Sequence, residues 1–229
     1  MRRTRSPNKP KENSFKAVVV EDHRMFREWL TQMLIQASGC QICGETDNVH
    51  EAQAIIKATR PDIVIADITL KGGCGLELIK NLQAAGLGEI PVLVLSMHEE
   101  GVYAERVLHA GARGYIAKHE ASLTLLKAIR QVLNGELYLS EKLAKSLIKE
   151  NHGTRVAESD RGVSVLTDRE LEVFQLLGKG RSSHEIARLL RLAETTVDTY
   201  RARIKEKLGL RNAAELYSRA AQWNQAHGV

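Results

Sequence analysis

Between Phe15 and Asn134, short apolar runs alternate with longer segments whose apolar residues recur every three or four positions. The runs are Ala17–Val20, Gln41–Gly44, Asp62–Ala66, Pro91–Leu95 and Gly114–Ala117. Runs this short, rich in Val and Ile and bounded by breakers, predict buried strands. The segments between and after them, His23–Ala37, Val49–Thr59, Leu76–Ala85, Glu99–His109 and Ala121–Leu133, carry helical spacing. Strict strand–helix alternation predicts a parallel sheet with helices on both faces and right-handed crossovers.

After Gly135 the periodicity fades. Leu137–Lys149 can prolong a helix, and residues 150–164 are polar and aperiodic, as in a linker. From Leu166 every segment is helical in pattern. Thr167 and Glu170 are spaced as a capping box that opens Leu171–Leu177, which Gly178 and Gly180 should stop. Ser182 and Glu185 form a second such box before Ile186–Leu190; Thr195–Leu208 follows, ended by Gly209, and then Ala213–Trp223. Two short helices, a tight turn and a basic helix give helix-turn-helix order. The expected organisation is a tail over residues 1–14, an α/β domain over 15–135, a connector over 136–161 and an all-α domain over 162–229.

Charge sharpens this division. Residues 1–15 hold five basic residues against one acid, 16–140 twelve against fifteen, and 166–229 eleven against eight. An acidic first body suggests metal or phosphate chemistry, and a basic second body an anionic partner. No apolar stretch reaches the roughly 20 residues of a membrane span, and no apolar signal region follows the basic start. Three cysteines, an odd number, argue against a disulfide framework. A cytoplasmic protein is expected. Cys40 and Cys43 stand three apart on a strand, so their thiols should point to opposite faces.

Candidate chemistry gathers at the predicted strand ends. Glu21 and Asp22 follow the first run, Asp67 closes the third, Ser96 follows the fourth and Lys118 the fifth. Open α/β sheets bind ligands at the carboxyl ends of their strands. Three carboxylates there repel one another unless a cation sits among them, and hard oxygen ligands suit Mg²⁺. A carboxylate beside such an ion is a plausible phosphoryl acceptor, Lys118 a point charge for phosphoryl oxygens and Ser96 a hydroxyl donor.

The segments Val18–His23, Asp62–Asp67, Val94–His98 and Gly111–Lys118, in that order, resemble the signature segments of the receiver domain of two-component response regulators. The resemblance covers about residues 16–135. It implies a flavodoxin-like fold of five strand–helix units with sheet order 2-1-3-4-5. It also implies Asp67 as phosphoacceptor, Mg²⁺ held by Glu21, Asp22, Asp67 and the Thr69 backbone carbonyl, Ser96 and Lys118 on the phosphoryl group, and Tyr115 as a switch aromatic. The family usually has a proline shortly after the acceptor. Here Lys71 stands in its place, next to Gly72 and Gly73. Loss of proline beside glycines should loosen this loop, and the Lys71 charge could lie near the phosphoryl site.

In Thr195–Leu208 an inner stripe of Val197, Ile204 and Leu208 faces away from Asp198, Thr199, Arg201, Arg203 and Lys205. Basic and hydroxyl side chains on one helix suit phosphate and base-edge contacts in a major groove. Residues 162–227 resemble the LuxR-type helix-turn-helix of NarL/FixJ regulators, through Leu166–Glu170, Glu185–Ala187, Thr195–Val197, Tyr200, Ile204, Lys207–Leu208 and Asn212 among others. By position, Asp198, Thr199 and Ala202 would face bases, and Thr196, Tyr200, Arg201 and Lys205 phosphates or sugars, with Arg203 on the same face. Ala213–Trp223 suits a dimer face and intradomain packing equally. The resemblance implies a phosphorylation-controlled transcription regulator without substrate turnover. Its partners would be a histidine kinase, double-stranded DNA half-sites and a second copy when phosphorylated. The alternatives are a receiver acting independently of phosphorylation or by protein contact, and a phosphatase, which would lack a second Asp two residues after the nucleophile.

Overall fold

A computed structural model describes residues 14–71, 73–97, 102–140, 144, 163–190 and 192–227. Its first half is built from β1 (Lys16–Val20), α1 (Arg24–Ser38), β2 (Gln41–Thr46), α2 (Val49–Thr59), β3 (Ile63–Asp67), a two-stranded hairpin of β4 (Thr69–Leu70) and β5 (Gly73–Cys74), α3 (Gly75–Ala84), β6 (Val92–Ser96), α4 (Val102–His109), β7 (Gly114–Ala117) and α5 (Ala121–Leu133). The main sheet is parallel in the order β2-β1-β3-β6-β7. With the hairpin set aside, this is the order 2-1-3-4-5 that the resemblance implies.

Both faces of the sheet are covered, which is why its strands read as unbroken apolar runs. Alternate residues serve opposite layers. Val18, Val20, Val64, Ala66, Val92 and Val94 pack with α2, α3 and α4, while Ala17, Val19, Ile63, Ile65, Leu93 and Leu95 pack with α1 and α5. Cys40 joins the second layer and Cys43 packs against the first, and all three cysteines are free. Directly beyond α5 the chain is not yet the helix expected over Leu137–Lys149, although residue 144 is helical and its N–H donates to Ser140 O at 2.9 Å. Tyr138 donates its N–H to Arg113 O and forms a bridge beside Gly114, extending the sheet edge; of residues 141–149 only 144 is described. Most of the expected linker, including residues 150–162, also lies outside the described residues.

The second half holds α6 (Asp168–Gly178), α7 (Ser183–Leu190), α8 (Glu194–Leu208) and α9 (Ala213–His227). Thr167 and Glu170 close the capping box reciprocally, and Ser182 and Glu185 do the same before α7. Gly180, at a φ of 75°, makes the turn out of α6, whereas Gly178 is the last residue of the helix and allows close packing: a Cβ there would meet Ala220 O at 2.5 Å. Of the apolar positions on α9, Leu216, Ala220 and Trp223 are buried within the domain, with Trp223 edge-on to Phe174, while Ala214 is exposed.

Candidate functional site: a carboxylate cluster and a basic helix

Register places the acidic residues side by side. Val20 pairs with Ala66, so Glu21 and Asp67 leave neighbouring strands together; Asp67 itself pairs with Leu95, and Ser96 with Ala117. Glu21, Asp22, Asp67, Ser96 and Lys118 are therefore brought to one sheet edge, and all five are buried. The Lys118 ammonium lies 2.8 Å from Glu21 and 2.8 Å from Asp67 Oδ2. It also stands 4.7 Å above the Phe26 ring. Burial pushes the Asp67 carboxyl up to about 7, against the pull of Lys118 and with the repulsion of Glu21 and Asp22 behind it.

Ligand atoms of Glu21, Asp22, His23 and Asp67 all lie within 4.8 Å of one another. His23 reads as a helix-start residue from sequence, and it does stand at the N-cap of α1, but without a side-chain cap. Its ring nitrogen is instead 2.8 Å from Asp22. Three acids converging with one ammonium leave excess negative charge, and this set of hard oxygen donors fits a divalent ion such as Mg²⁺. Arg27 is a further residue the sequence pattern does not single out; it donates to the Glu21 carbonyl. Thr69 is half-buried in β4, and Tyr115 is fully buried on β7 in the apolar layer that also holds Ala104, Val107 and Ala112.

In the loop after Asp67, expected to be loose, Lys71 is held by the chain around it, while Gly72 lies outside the described residues. Lys71 N–H donates to Asp47 O at 2.9 Å, Val49 N–H donates back to Lys71 O at 3.1 Å, and the Lys71 ammonium pairs with Asp47. Tertiary hydrogen bonds hold the position where the family usually has proline, and the Lys71 charge is directed to Asp47 rather than toward Asp67.

On α8, Asp198, Thr199, Ala202 and Arg203 are exposed, and Thr196, Tyr200, Arg201 and Lys205 half-buried. Three of them are engaged within the domain, the Thr199 hydroxyl donating to Thr195 O at 2.8 Å. Arg201 donates to Ser183 Oγ at 2.7 Å and to Asp198 Oδ1 at 3.0 Å, which also receives the Ser183 hydroxyl.

A buried acidic cluster with a lysine at the carboxyl edge of a doubly wound sheet, joined to a helix-turn-helix domain, has the make-up of a signalling protein with a nucleic-acid-binding output. The response regulator receiver domain matches residues 17–130, and the bacterial regulatory proteins of the luxR family match residues 164–220. The virulence-factor regulator BvgA of Bordetella pertussis is 35% identical over 213 residues, covering 92% of this chain and 99% of its own. The response regulator GacA of Pseudomonas aeruginosa is 31% identical over 201 residues, covering 88% of this chain and 92% of its own. The crystal structure of a LuxR-family two-component response regulator from Aurantimonas sp. SI85-9A1 superposes with a TM-score of 0.56 at 28% identity, over 61% of this chain and 99% of that one. The chain belongs to the two-component response regulators that join a receiver domain to a LuxR-type helix-turn-helix domain.

Proposed function

We propose that Asp67 accepts a phosphoryl group and that its occupancy controls DNA binding through α8. The observation that carries this reading is the Lys118 ammonium set 2.8 Å from both Glu21 and Asp67 in a buried carboxylate cluster. The donor is the phosphohistidine of a partner kinase. An Asp67 carboxylate oxygen attacks phosphorus, the P–N bond breaks, and the leaving imidazole keeps the electron pair and takes up a proton. Lys118 steadies the acceptor and then the phosphoryl oxygens, and the Ser96 hydroxyl donates to one of them. Glu21, Asp22, Asp67 and the Thr69 carbonyl would hold Mg²⁺, which when bound neutralises charge developing on the phosphoryl group. Tyr115 reorients with Ser96, and the receiver face changes. No substrate is turned over.

In this reading the receiver spans residues 15–135 and the DNA-binding domain 162–229. Two copies bind paired half-sites in adjacent major grooves of double-stranded DNA. Thr199, Ala202 and Arg203 are exposed for such contacts, with Asp198, Thr196, Tyr200, Arg201 and Lys205 beside them. The protein works in the cytoplasm; no helix among the described residues is long and apolar enough to cross a membrane. A receiver acting independently of phosphorylation or by protein contact is the second reading, and DNA binding unchanged by beryllofluoride with Mg²⁺ would favour it.

The test is transfer from a small acyl phosphate with Mg²⁺. The wild type should take up label and Asp67→Asn should not while keeping its circular dichroism spectrum. Equal labelling of the two proteins would refute the acceptor assignment.

A further inference from the structure

We infer that Arg169, from the DNA-binding domain, is a positioning residue for the phosphoacceptor loop and couples the two domains at that point. The inference rests on Asp67 being the phosphoacceptor and adds a second connection to it, separate from Tyr115. Leaving β3, the chain turns back on itself as the β4–β5 hairpin, with Thr69 opposite Cys74 and Leu70 opposite Gly73. The carbonyls of Leu70 and Gly73 both accept from Nη2 of Arg169, the former at 2.9 Å. The other end of the guanidinium is fixed by Glu172, 2.6 Å from Nη1 and itself buried. Arg169 is only 14% exposed, so these are charge-assisted bonds in a largely desolvated setting.

A second arginine crosses in the opposite direction. Arg106, on α4 of the receiver, donates to Leu166 O at 2.9 Å and Val163 O at 3.1 Å, at the entry to the DNA-binding domain. The two clamps differ in what they hold. Arg106 grips the output domain away from the acceptor, whereas Arg169 grips the hairpin that starts two residues after Asp67. Tyr200 and Arg203 of α8 line the crevice between the domains, so part of the proposed DNA face is turned toward the receiver in this arrangement. Tyr200 also faces Lys71, Leu70 and Gly73 across an adjoining crevice.

A hairpin with its outer carbonyls held by another domain cannot rearrange around a phosphoryl group without moving that domain or breaking those bonds. Withdrawal of the output domain, in turn, frees the hairpin. Arg169 thereby biases the loop toward its unphosphorylated arrangement, and coupling of this kind is reciprocal in equilibrium binding.

The experiment titrates full-length protein with beryllofluoride in the presence of Mg²⁺, following Trp29 emission, for wild type, Arg169→Ala, Arg169→Lys, Arg106→Ala and the double alanine variant. Small-angle scattering reports domain separation, and circular dichroism reports folding. Arg169→Ala should lower the half-saturating beryllofluoride concentration by roughly 5-fold or more. Arg169→Lys, which keeps the charge but not the fork, should fall between it and the wild type. Because the effect passes through Arg169, adding Arg106→Ala to Arg169→Ala should leave beryllofluoride affinity unchanged. Wild-type affinity in a folded Arg169→Ala protein, or additive gains in the double variant, would overturn the inference alone. Binding that survives Asp67→Asn, or no binding by the wild type, would overturn the phosphoacceptor reading and the inference with it.

Discussion

Replacing Gly75 with alanine sets the start of α3 against the backbone of the acceptor itself. An added Cβ would lie 2.3 Å from Asp67 O, 3.1 Å from Asp67 C and 3.2 Å from Ile68 Cα. Ordinary contact begins near 3.4 Å, so the helix start or the Asp67 peptide must yield by about 1 Å. Alanine gains up to about 1 kcal/mol in helix preference over glycine. Overpacking against backbone costs about 1–3 kcal/mol, so with that gain the net loss is up to about 2 kcal/mol. The chemistry should suffer more, because a displacement of about 1 Å at a reacting group can cost on the order of 100-fold in rate. Labelling of Asp67 from a small acyl phosphate should therefore slow by roughly 100-fold, while urea unfolding shifts only modestly. Gly86→Ala is the control. That residue sits at a φ of 69° with nothing near its missing Cβ, so alanine costs about 1–2 kcal/mol of backbone strain away from the site. It should match the stability loss and leave labelling intact. Near-wild-type labelling by a folded Gly75→Ala protein would show that the contact can relax, and the reasoning from close approach would fail.

Lys118→Met removes the one ammonium among the described residues within hydrogen-bond reach of both Glu21 and Asp67 and should destabilise the metal-free protein by about 3 kcal/mol at pH 8. Mg²⁺ should raise its melting temperature more than it raises that of the wild type; equal shifts would argue against a shared cation site. Burial disfavours the Glu170 carboxylate, but its bonds to Lys207 and Thr167 outweigh this and lower its pKa below the usual 4.5. Its contribution is thus fully present above about pH 4.5 and is lost as the pH falls through the lowered value. Glu170→Gln should cost about 1 kcal/mol at pH 7 and less at pH 3.5 by Trp223 emission, and a loss independent of pH would refute the assignment. Lys205→Ala should weaken binding to all duplex sequences and reduce the slope of log affinity against log salt by about one; an unchanged slope would remove Lys205 from the phosphate contacts.

The sheet was legible because its strands are buried on both faces and short, so apolar runs alone mark them. Glu21, Asp22, Asp67, Ser96 and Lys118 were legible for a related reason: the end of a strand fixes a residue's position before any side-chain detail is known. What local pattern could not supply were partners distant in sequence. Tyr138 joins the sheet edge through a single bridge to Gly114, too short a run for any periodicity to signal. Arg169 lies inside a capping box and reads as a helix start, and its bonds to Leu70 and Gly73 exist only once the domains have docked. His23 was closer to hand, since it directly follows the acidic pair, yet its position before a helix favoured the simpler reading.

Lys71 shows how such a misreading arises and how it can be decided. Proline stiffens a loop by fixing φ and lowering the entropy of the unfolded chain, and a compatible site gains about 0.4–1 kcal/mol from it. On that argument alone, Lys71→Pro should stabilise the protein. The structure gives the opposite sign. Lys71 N–H is a donor to Asp47 O, which proline cannot be, and the side chain adds an ion pair to Asp47. That pair is 48% and 28% exposed, so it contributes no more than about 1 kcal/mol. The lost backbone bond adds about 1 kcal/mol, and the two together exceed the entropic gain. Lys71→Pro should therefore destabilise the receiver by about 1 kcal/mol in urea, and Asp47→Ala, which keeps the backbone bond, by less. A stabilised Lys71→Pro protein would mean that the Asp47 contact adds little and that the loop is stiff for some other reason.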